Sequence, residues 1–548
     1  MVEALKKHNK IDRKGPVVLI IMDGVGFGQY DDGDAVKAAM TKNLDGFLQD
    51  HPWTKLKAHG TAVGLPTDDD MGNSEVGHNA IGSGRVFAQG AALVSNAIDS
   101  GSMYTSDTWK KLTSNVVKND STLHFLGLLS DGNVHAHIKH VKAMVAQAKK
   151  DGVKKVRLHS LLDGRDVGAL SALEYFDPFV EYLNELNDEN FDARIASGGG
   201  RQNITMDRYN ANWSMVERGW HTHVLGEGRQ FASAREAILT LREETGAIDQ
   251  DLPPFVIAEN GKPVGTVEDG DSFILYNFRG DRALEITKAF EAEDLKEFDR
   301  VRFPKVEYAG ILQYDGDLKI PAQYLVSPPS IDRTMAEYLC ASGVRQYSIS
   351  ETQKYGHITY FFNGNKSGMI DSKLEKYVEV LSDLVPFEER PWMKCADIAD
   401  KVIEAVESGE WDFIKLNFPN GDMVGHTGVF QAVTCSMEAM DLQLGRLWKA
   451  IKKAGGVMVV TADHGNADDM YEHDKKGNIK LDDNGIPKNK TCHSLNPVPC
   501  IVVDSDYKGE YSTEFNTGLG ITSLAATCMN LLGYEPPADY DKSVINVL

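Results

Sequence analysis

Two unbroken apolar runs near opposite ends of the chain, residues 16–22 (Pro-Val-Val-Leu-Ile-Ile-Met) and 456–461 (Gly-Val-Met-Val-Val-Thr), lead almost directly into acidic residues, Asp23 and Asp463. A continuous apolar run of this length fits a strand buried on both faces, the pattern of parallel sheets covered by helices. A third run, residues 411–418 (Trp-Asp-Phe-Ile-Lys-Leu-Asn-Phe), precedes Asp422 and His426. In open α/β sheets, ligands bind in the crevice beyond the carboxyl ends of the strands. The expectation is an α/β fold whose strands deliver Asp23, Asp422 with His426, and Asp463 with His464 to one rim.

His493 adds a further imidazole, and Ser74 lies in residues 71–78, Met-Gly-Asn-Ser-Glu-Val-Gly-His. Mixtures of imidazole and carboxylate suit borderline and hard divalent cations, and two such ions about 3.5–4 Å apart grip both the attacking and the leaving oxygen of a displacement. Asn and Ser are ordinary helix caps, and a helix start presents N–H groups that favour a phosphorylated oxygen. Together these residues point to metal-assisted phosphoryl transfer with Ser74 as the nucleophile.

The ligand stretches also dictate the domain order. Asp23 and Ser74 sit near the start and the remaining ligands follow residue 420, so the intervening block must loop out and return. We expect a discontinuous metal-binding domain, residues 1–88 and 328–548, with a second α/β domain over 90–326 inserted in it. Hinges fall near 86–90 and 326–330, where Ser327-Pro328-Pro329-Ser330 resists both helix and central strand. Inside the block, residues 122–129 read as a strand leading to Asp131 and His135. An amphipathic helix through Ile138, Val141, Val145 and Ala148 follows, and residues 156–162 form a strand leading to Asp163. Residues 193–197 form a further strand opening onto Gly198-Gly199-Gly200-Arg201, glycines that would let backbone approach a ligand.

Composition excludes some partners. A net charge of −22 over 548 residues argues against nucleic acid and acidic membranes, and no basic run reverses it. Cys340, Cys395, Cys435, Cys492, Cys500 and Cys528 show no CxxC spacing, as in a reduced protein, and the first residues lack the apolar core of a secretion signal. A cytoplasmic location is the expectation.

Further motifs follow in order. They are residues 130–137 (Ser-Asp-Gly-Asn-Val-His-Ala-His), 163–166 (Asp-Gly-Arg-Asp), 277–282 (Asn-Phe-Arg-Gly-Asp-Arg), 354–357 (Lys-Tyr-Gly-His), 422–426 (Asp-Met-Val-Gly-His) and 461–466 (Thr-Ala-Asp-His-Gly-Asn). With Asp23-Gly24 and residues 72–78, this set resembles the cofactor-independent phosphoglycerate mutases of the alkaline phosphatase superfamily, from about Val17 to His493. The resemblance implies an alkaline-phosphatase-like α/β metal-binding lobe with an inserted α/β domain. It further implies interconversion of 3-phosphoglycerate and 2-phosphoglycerate through phosphorylated Ser74, without 2,3-bisphosphoglycerate.

By the same resemblance, Asp422, His426 and His493 hold one divalent ion and Asp23, Ser74, Asp463 and His464 the other, usually manganese, with magnesium or cobalt in some members. Substrate contacts fall on His135, Arg165, Asp166, Arg201, Arg208, Arg279, Arg282 and Lys354, with Asp166 carrying protons; a monomer is implied. An always-charged planar guanidinium suits phosphate and carboxylate, whereas Lys354 acts as a point charge. Arginines and metals on separate lobes imply hinge closure around one small molecule, excluding water. Asp163 and Asp166 have a simpler reading as partners of Arg165. Two departures stand out: the Arg201 to Arg208 interval is one residue longer than in short bacterial members, and Gly280 stands where proline is common.

Other functions use the same groups. A phosphomonoesterase would release phosphate to water and needs no arginine-rich inserted lobe. A phosphopentomutase normally has a threonine nucleophile, and a non-catalytic metal-binding protein would have no use for Ser74 and Lys354.

Overall fold

The computed structural model describes all residues except 1, 66, 208–211, 315–318, 328–330, 475 and 483–484. Arg208 and most of the expected hinge at 326–330 therefore lie outside the described residues. The chain packs as two compact units, Met1–Gln89 with Ser330–Leu548, and Gly90–Pro329. Each has its own sheet and its own apolar core.

Numbered along the chain, β1 (Val17–Met22) and β2 (Trp53–Leu56) come first. Next are β3 (Thr122–Leu128), β4 (Lys155–Leu162), β5 (Asp192–Gly200), β6 (Arg229–Phe231), β7 (Phe255–Glu259), β8 (Lys262–Pro263), β9 (Ser272–Leu275) and β10 (Glu307–Gly310). The last are β11 (Gln346–Glu351), β12 (Glu375–Val380), β13 (Phe413–Phe418), β14 (Val457–Thr461) and β15 (Val498–Asp504).

The first unit holds a seven-stranded sheet in the order β12-β11-β13-β1-β14-β15-β2. The three apolar runs become its centre: β1 lies between β13 and β14, parallel to both, and every residue of the three strands is buried. The register pairs Met22 with Phe418 and Ile21 with Thr461, so the three strands end nearly level. Asp23, the turn to Asp422, and Asp463 consequently leave the sheet at one edge, which is what a functional rim requires.

The second unit holds an eight-stranded sheet, β10-β9-β3-β4-β5-β7-β6, with β8 paired to β7. Strands β10, β9, β3, β4 and β5 run parallel, and β7 opposes β5. The helix Ile138–Lys150 joins β3 to β4, completing the strand–helix–strand pattern. No helix among the described residues is long and apolar enough to cross a membrane.

The three glycines at 198–200 differ from expectation. They form the buried end of β5 rather than a loop. A Cβ on Gly198 would lie 2.5 Å from Phe255 Cζ and 2.7 Å from Ser160 O, and one on Gly200 would lie 2.3 Å from Gln250 O. The close approach is made by protein, not ligand. Gly198→Ala should therefore destabilise by about 1–3 kcal/mol through overpacking; a chemical denaturation midpoint equal to wild type would show that β5 can shift to make room.

Candidate metal centre and active site

Ser74 is the first residue of the helix Ser74–Ser83, and Asn73 caps it by accepting a bond from Val76 N. Because Asn73 takes the capping role, the Ser74 hydroxyl is directed elsewhere. It donates to Asp23 Oδ1 at 3.3 Å, and its Oγ lies 3.0 Å from His464 Nε2. One turn on, His78 Nδ1 donates to Ser74 O at 2.8 Å and lies 3.4 Å from Asp463 Oδ2.

Two groups of ligand-type side chains converge, Asp422 with His426 and His493, and Asp23 with Asp463 and His464. In the first, His426 Nδ1 donates to Thr491 O and His493 Nδ1 to Gly72 O, both at 2.7 Å. A carbonyl only accepts, so in the neutral imidazoles each Nε2 is left as a lone-pair acceptor. Those two Nε2 atoms are 3.1 Å apart, and Asp422 Oδ1 lies 3.1 Å from one and 3.0 Å from the other. Three acceptors facing one another call for a cation. The backbone bonds also set the tautomer and ring direction, as outer partners of metal-bound histidines do.

In the second group Asp23, Asp463 and His464 are buried, and Asp463 Oδ2 has no hydrogen-bond partner among the described residues. Burial disfavours an imidazolium at His464, yet Asp463, Asp23 and Asp422 outweigh it and push its pKa up to about 9. Burial likewise opposes the Lys354 ammonium, but Asp23, Asp422 and Asp463 hold it charged. Lys354 Nζ donates to Asp23 Oδ1 at 3.0 Å, to Asp422 Oδ2 at 2.7 Å and to Ser74 Oγ. The three carboxylates Asp23, Asp422 and Asp463 face the Lys354 ammonium and a His464 imidazole that is neutral once it binds a metal, a set that two divalent cations fit.

Supporting amides surround these groups. Asn417 Nδ2 donates to Asp23 Oδ2 at 2.7 Å and lies 3.1 Å from His78 Nε2, while Asn466 Nδ2 donates to Asp422 Oδ1 at 3.1 Å. Sequence reasoning passed over all three. His78 follows Ser74 by one helical turn and Asn466 closes the motif at 461–466, signals that were present; Asn417, within an apolar strand, offered none.

In the second unit the expected residues follow parallel strands: His135 after β3, Arg165 and Asp166 after β4, Arg201 after β5, and Arg279 and Arg282 after β9. Phe278 N donates to His135 O at 2.7 Å, tying two of these loops. Burial first, then Arg201, opposed by Asp281, with Arg279 and Arg282 adding to it, hold the His135 pKa well below its usual range. It is a neutral histidine among arginines. Arg201 is a side-chain partner of the two acids: its Nη1 donates to Asp163 Oδ1 at 2.9 Å and to Asp166 Oδ2. Asp163 Oδ1 also accepts from the backbone N–H of Arg165 and Asp166, which closes the 163–166 turn. The Gly280 turn is closed by Ala283 N and Leu284 N donating to Gly280 O.

A family model described as the metalloenzyme superfamily matches residues 15–536. A probable 2,3-bisphosphoglycerate-independent phosphoglycerate mutase of Leptospira interrogans is 53% identical over 543 residues, covering 98% of each chain. The 2,3-bisphosphoglycerate-independent phosphoglycerate mutase of Trypanosoma brucei brucei is 48% identical over 552 residues and covers 100% of each. A crystal structure of Leishmania mexicana phosphoglycerate mutase at low cobalt concentration superposes with a TM-score of 0.89 at 49% identity, again covering 100% of both chains. Likeness of this degree from end to end makes the chain a member of the 2,3-bisphosphoglycerate-independent phosphoglycerate mutase family, within the metalloenzyme superfamily.

Proposed function

We propose that the protein is a metal-dependent isomerase that interconverts 3-phosphoglycerate and 2-phosphoglycerate without bisphosphoglycerate, in glycolysis and gluconeogenesis. The phosphoryl group rests on Ser74 between the two half-reactions. The observation that carries this reading is the Ser74 hydroxyl itself, buried at a helix start and touched by Asp23, His464 and Lys354.

Asp422, His426 and His493 would hold one divalent ion and Asp23, Ser74, Asp463 and His464 the other, manganese first, with magnesium or cobalt as alternatives; bound there, the ions stabilise an ionised hydroxyl and neutralise phosphoryl oxygens. The chain's own part is positioning and charge. Lys354 holds the serine oxygen and places an ammonium where the equatorial phosphoryl oxygens gather charge. The positive end of the helix Ser74–Ser83 favours the same dianion. His78 and Asn417 keep Ser74 and Asp23 in line through the bonds described above.

The glycerate is held by His135, Arg165, Arg201, Arg208, Arg279 and Arg282 while its two hydroxyls exchange roles. Asp166, paired with Arg201, accepts the proton of one hydroxyl and returns one to the other, the work of a general base and acid in turn. Neutral His135 can donate to a carboxylate without adding a mobile charge. The same side chains serve both directions. Both ligand groups and the arginines come from one chain, so a monomer suffices. None of the six cysteines is in a disulfide, which suits the cytoplasm.

The direct test is an assay of metal-depleted protein with 3-phosphoglycerate, no bisphosphoglycerate, and Mn²⁺ restored: activity should appear only with metal. Ser74→Ala should abolish isomerisation with the melting temperature retained; turnover near wild type would exclude the phosphoserine route. Asp166→Asn should lower kcat by about 10²–10⁴-fold, the usual range for a general base.

A pH dependence follows from His464. Its folded, metal-free imidazole is protonated below about 9, and a metal ligand must be neutral, so binding displaces that proton. Metal affinity should fall as pH drops from about 9, by up to about tenfold per unit from this group. Calorimetry in buffers of different ionisation enthalpy should detect proton release near neutral pH, and none would contradict the assignment.

A further inference from the structure

The second unit contains a chain of buried hydrogen bonds that the reaction above does not use. Asp271 Oδ2 lies 3.1 Å from His124 Nε2, His124 Nδ1 3.0 Å from His159 Nε2, and His159 Nδ1 2.7 Å from Ser197 Oγ. Ser197 Oγ lies 2.8 Å from His223 Nδ1, and His223 Nε2 3.0 Å from Thr205 Oγ1. All six residues are buried, none more than 3% exposed. His124, His159 and Ser197 come from the adjacent strands β3, β4 and β5, and Asp271 immediately precedes β9, so the chain crosses the sheet.

Its direction is determined by one end. Asp271 also accepts from Thr122 N and Glu268 N, each at 2.8 Å, and a carboxylate with three donors only accepts. His124 must then donate from Nε2 and accept at Nδ1. His159 must do the same, Ser197 must donate to His159, and His223 must donate from Nδ1 to Ser197. The last hydrogen is therefore the hydroxyl hydrogen of Thr205, committed to His223 Nε2. A fully connected buried network of this kind rigidifies what it touches.

Thr205 is where such rigidity is needed. Its φ is +70°, a region that a β-branched residue adopts only when its surroundings impose it. Its N–H donates to Met215 O at 2.8 Å. The next residue supplies the carbonyl to which Arg282 Nη1 donates at 2.6 Å, and Arg201 begins the same segment.

We propose that the buried chain from Asp271 to Thr205 is a positioning device for the substrate-binding arginines. It pins Thr205 in the left-handed conformation and thereby sets the path of residues 201–207, from which Arg201 and the carbonyl holding Arg282 are presented. The proposal rests on the function proposed above for those arginines. None of the chain's members is a catalytic residue; they act through the segment they hold.

The test uses the metal-loaded enzyme and 3-phosphoglycerate. Thr205→Val keeps the branched shape and removes the donor, Ser197→Ala interrupts the chain midway, and Thr205→Ser restores the hydroxyl. Gly219→Ala approaches from the other side, since its Cβ would lie 2.2 Å from Thr205 Oγ1. Misplaced arginines weaken ground-state and transition-state binding together, so Thr205→Val, Ser197→Ala and Gly219→Ala should raise KM by about tenfold with kcat little changed. Thr205→Ser should return KM to wild type. A wild-type KM in folded Thr205→Val, or in Ser197→Ala if the valine variant does not fold, overturns the proposal.

Nitrogen-15 NMR of histidine-labelled wild-type protein tests the chain without activity. The geometry requires His223 as the Nδ1–H tautomer and His124 and His159 as Nε2–H. Any of the three in the opposite tautomer overturns the chain whatever the enzyme acts on. A wild-type protein that fails to isomerise phosphoglycerate while showing these tautomers would instead sink the functional reading.

Discussion

Three carboxylates, Asp23, Asp422 and Asp463, are buried within reach of a single ammonium, that of Lys354. Burying charge costs several kcal/mol per ion unless partners offset it, and even with the His464 imidazole protonated beside that ammonium, two cations against three anions leave the balance short. The rest of the first unit can be understood from that constraint. Histidines turned by backbone carbonyls present lone pairs instead of protons, and asparagines fill the outer carboxylate positions. The serine hydroxyl sits among these groups, so the divalent cations that would offset the carboxylates would also offset the charge of a phosphoryl group on Ser74.

The sheet supplies the precision. Because β1, β13 and β14 are buried on both faces and paired in parallel, a shift of one residue would move side chains between opposite faces and is strongly resisted. Asp23, Asp422 and Asp463 then follow strand ends that are nearly level. The second unit repeats the principle with different chemistry: parallel strands end in loops that carry arginines, a neutral histidine and paired acids. In both units side chains proposed for the chemistry follow the carboxyl ends of parallel strands.

Much of this was legible in the sequence because the signals were local. Apolar runs followed by Asp, His or Arg announced the strands and the polar side chains beyond them, and Ser74 stood in a helix-start pattern. What escaped notice was non-local. Asp166 has a partner in Arg201, a residue brought close by the β4–β5 pairing. Glycines 198–200 looked like a ligand loop because chain flexibility and tight strand packing have the same composition. His124, His159 and His223 are spread along the chain, and only pairing across the sheet joins them. Asn417 lies in an otherwise apolar strand, where nothing local marks it as a partner of Asp23.

The central claim is a phosphoryl group carried on Ser74. Rapid chemical quench of the Mn²⁺-loaded protein with 3-phosphoglycerate bearing radiolabelled phosphate, followed by peptide mapping, measures it directly. The account predicts label on the peptide containing Ser74, appearing and decaying fast enough to lie on the path between the two isomers. Label on another residue, or steady turnover during which no protein-bound phosphate ever forms, would contradict it.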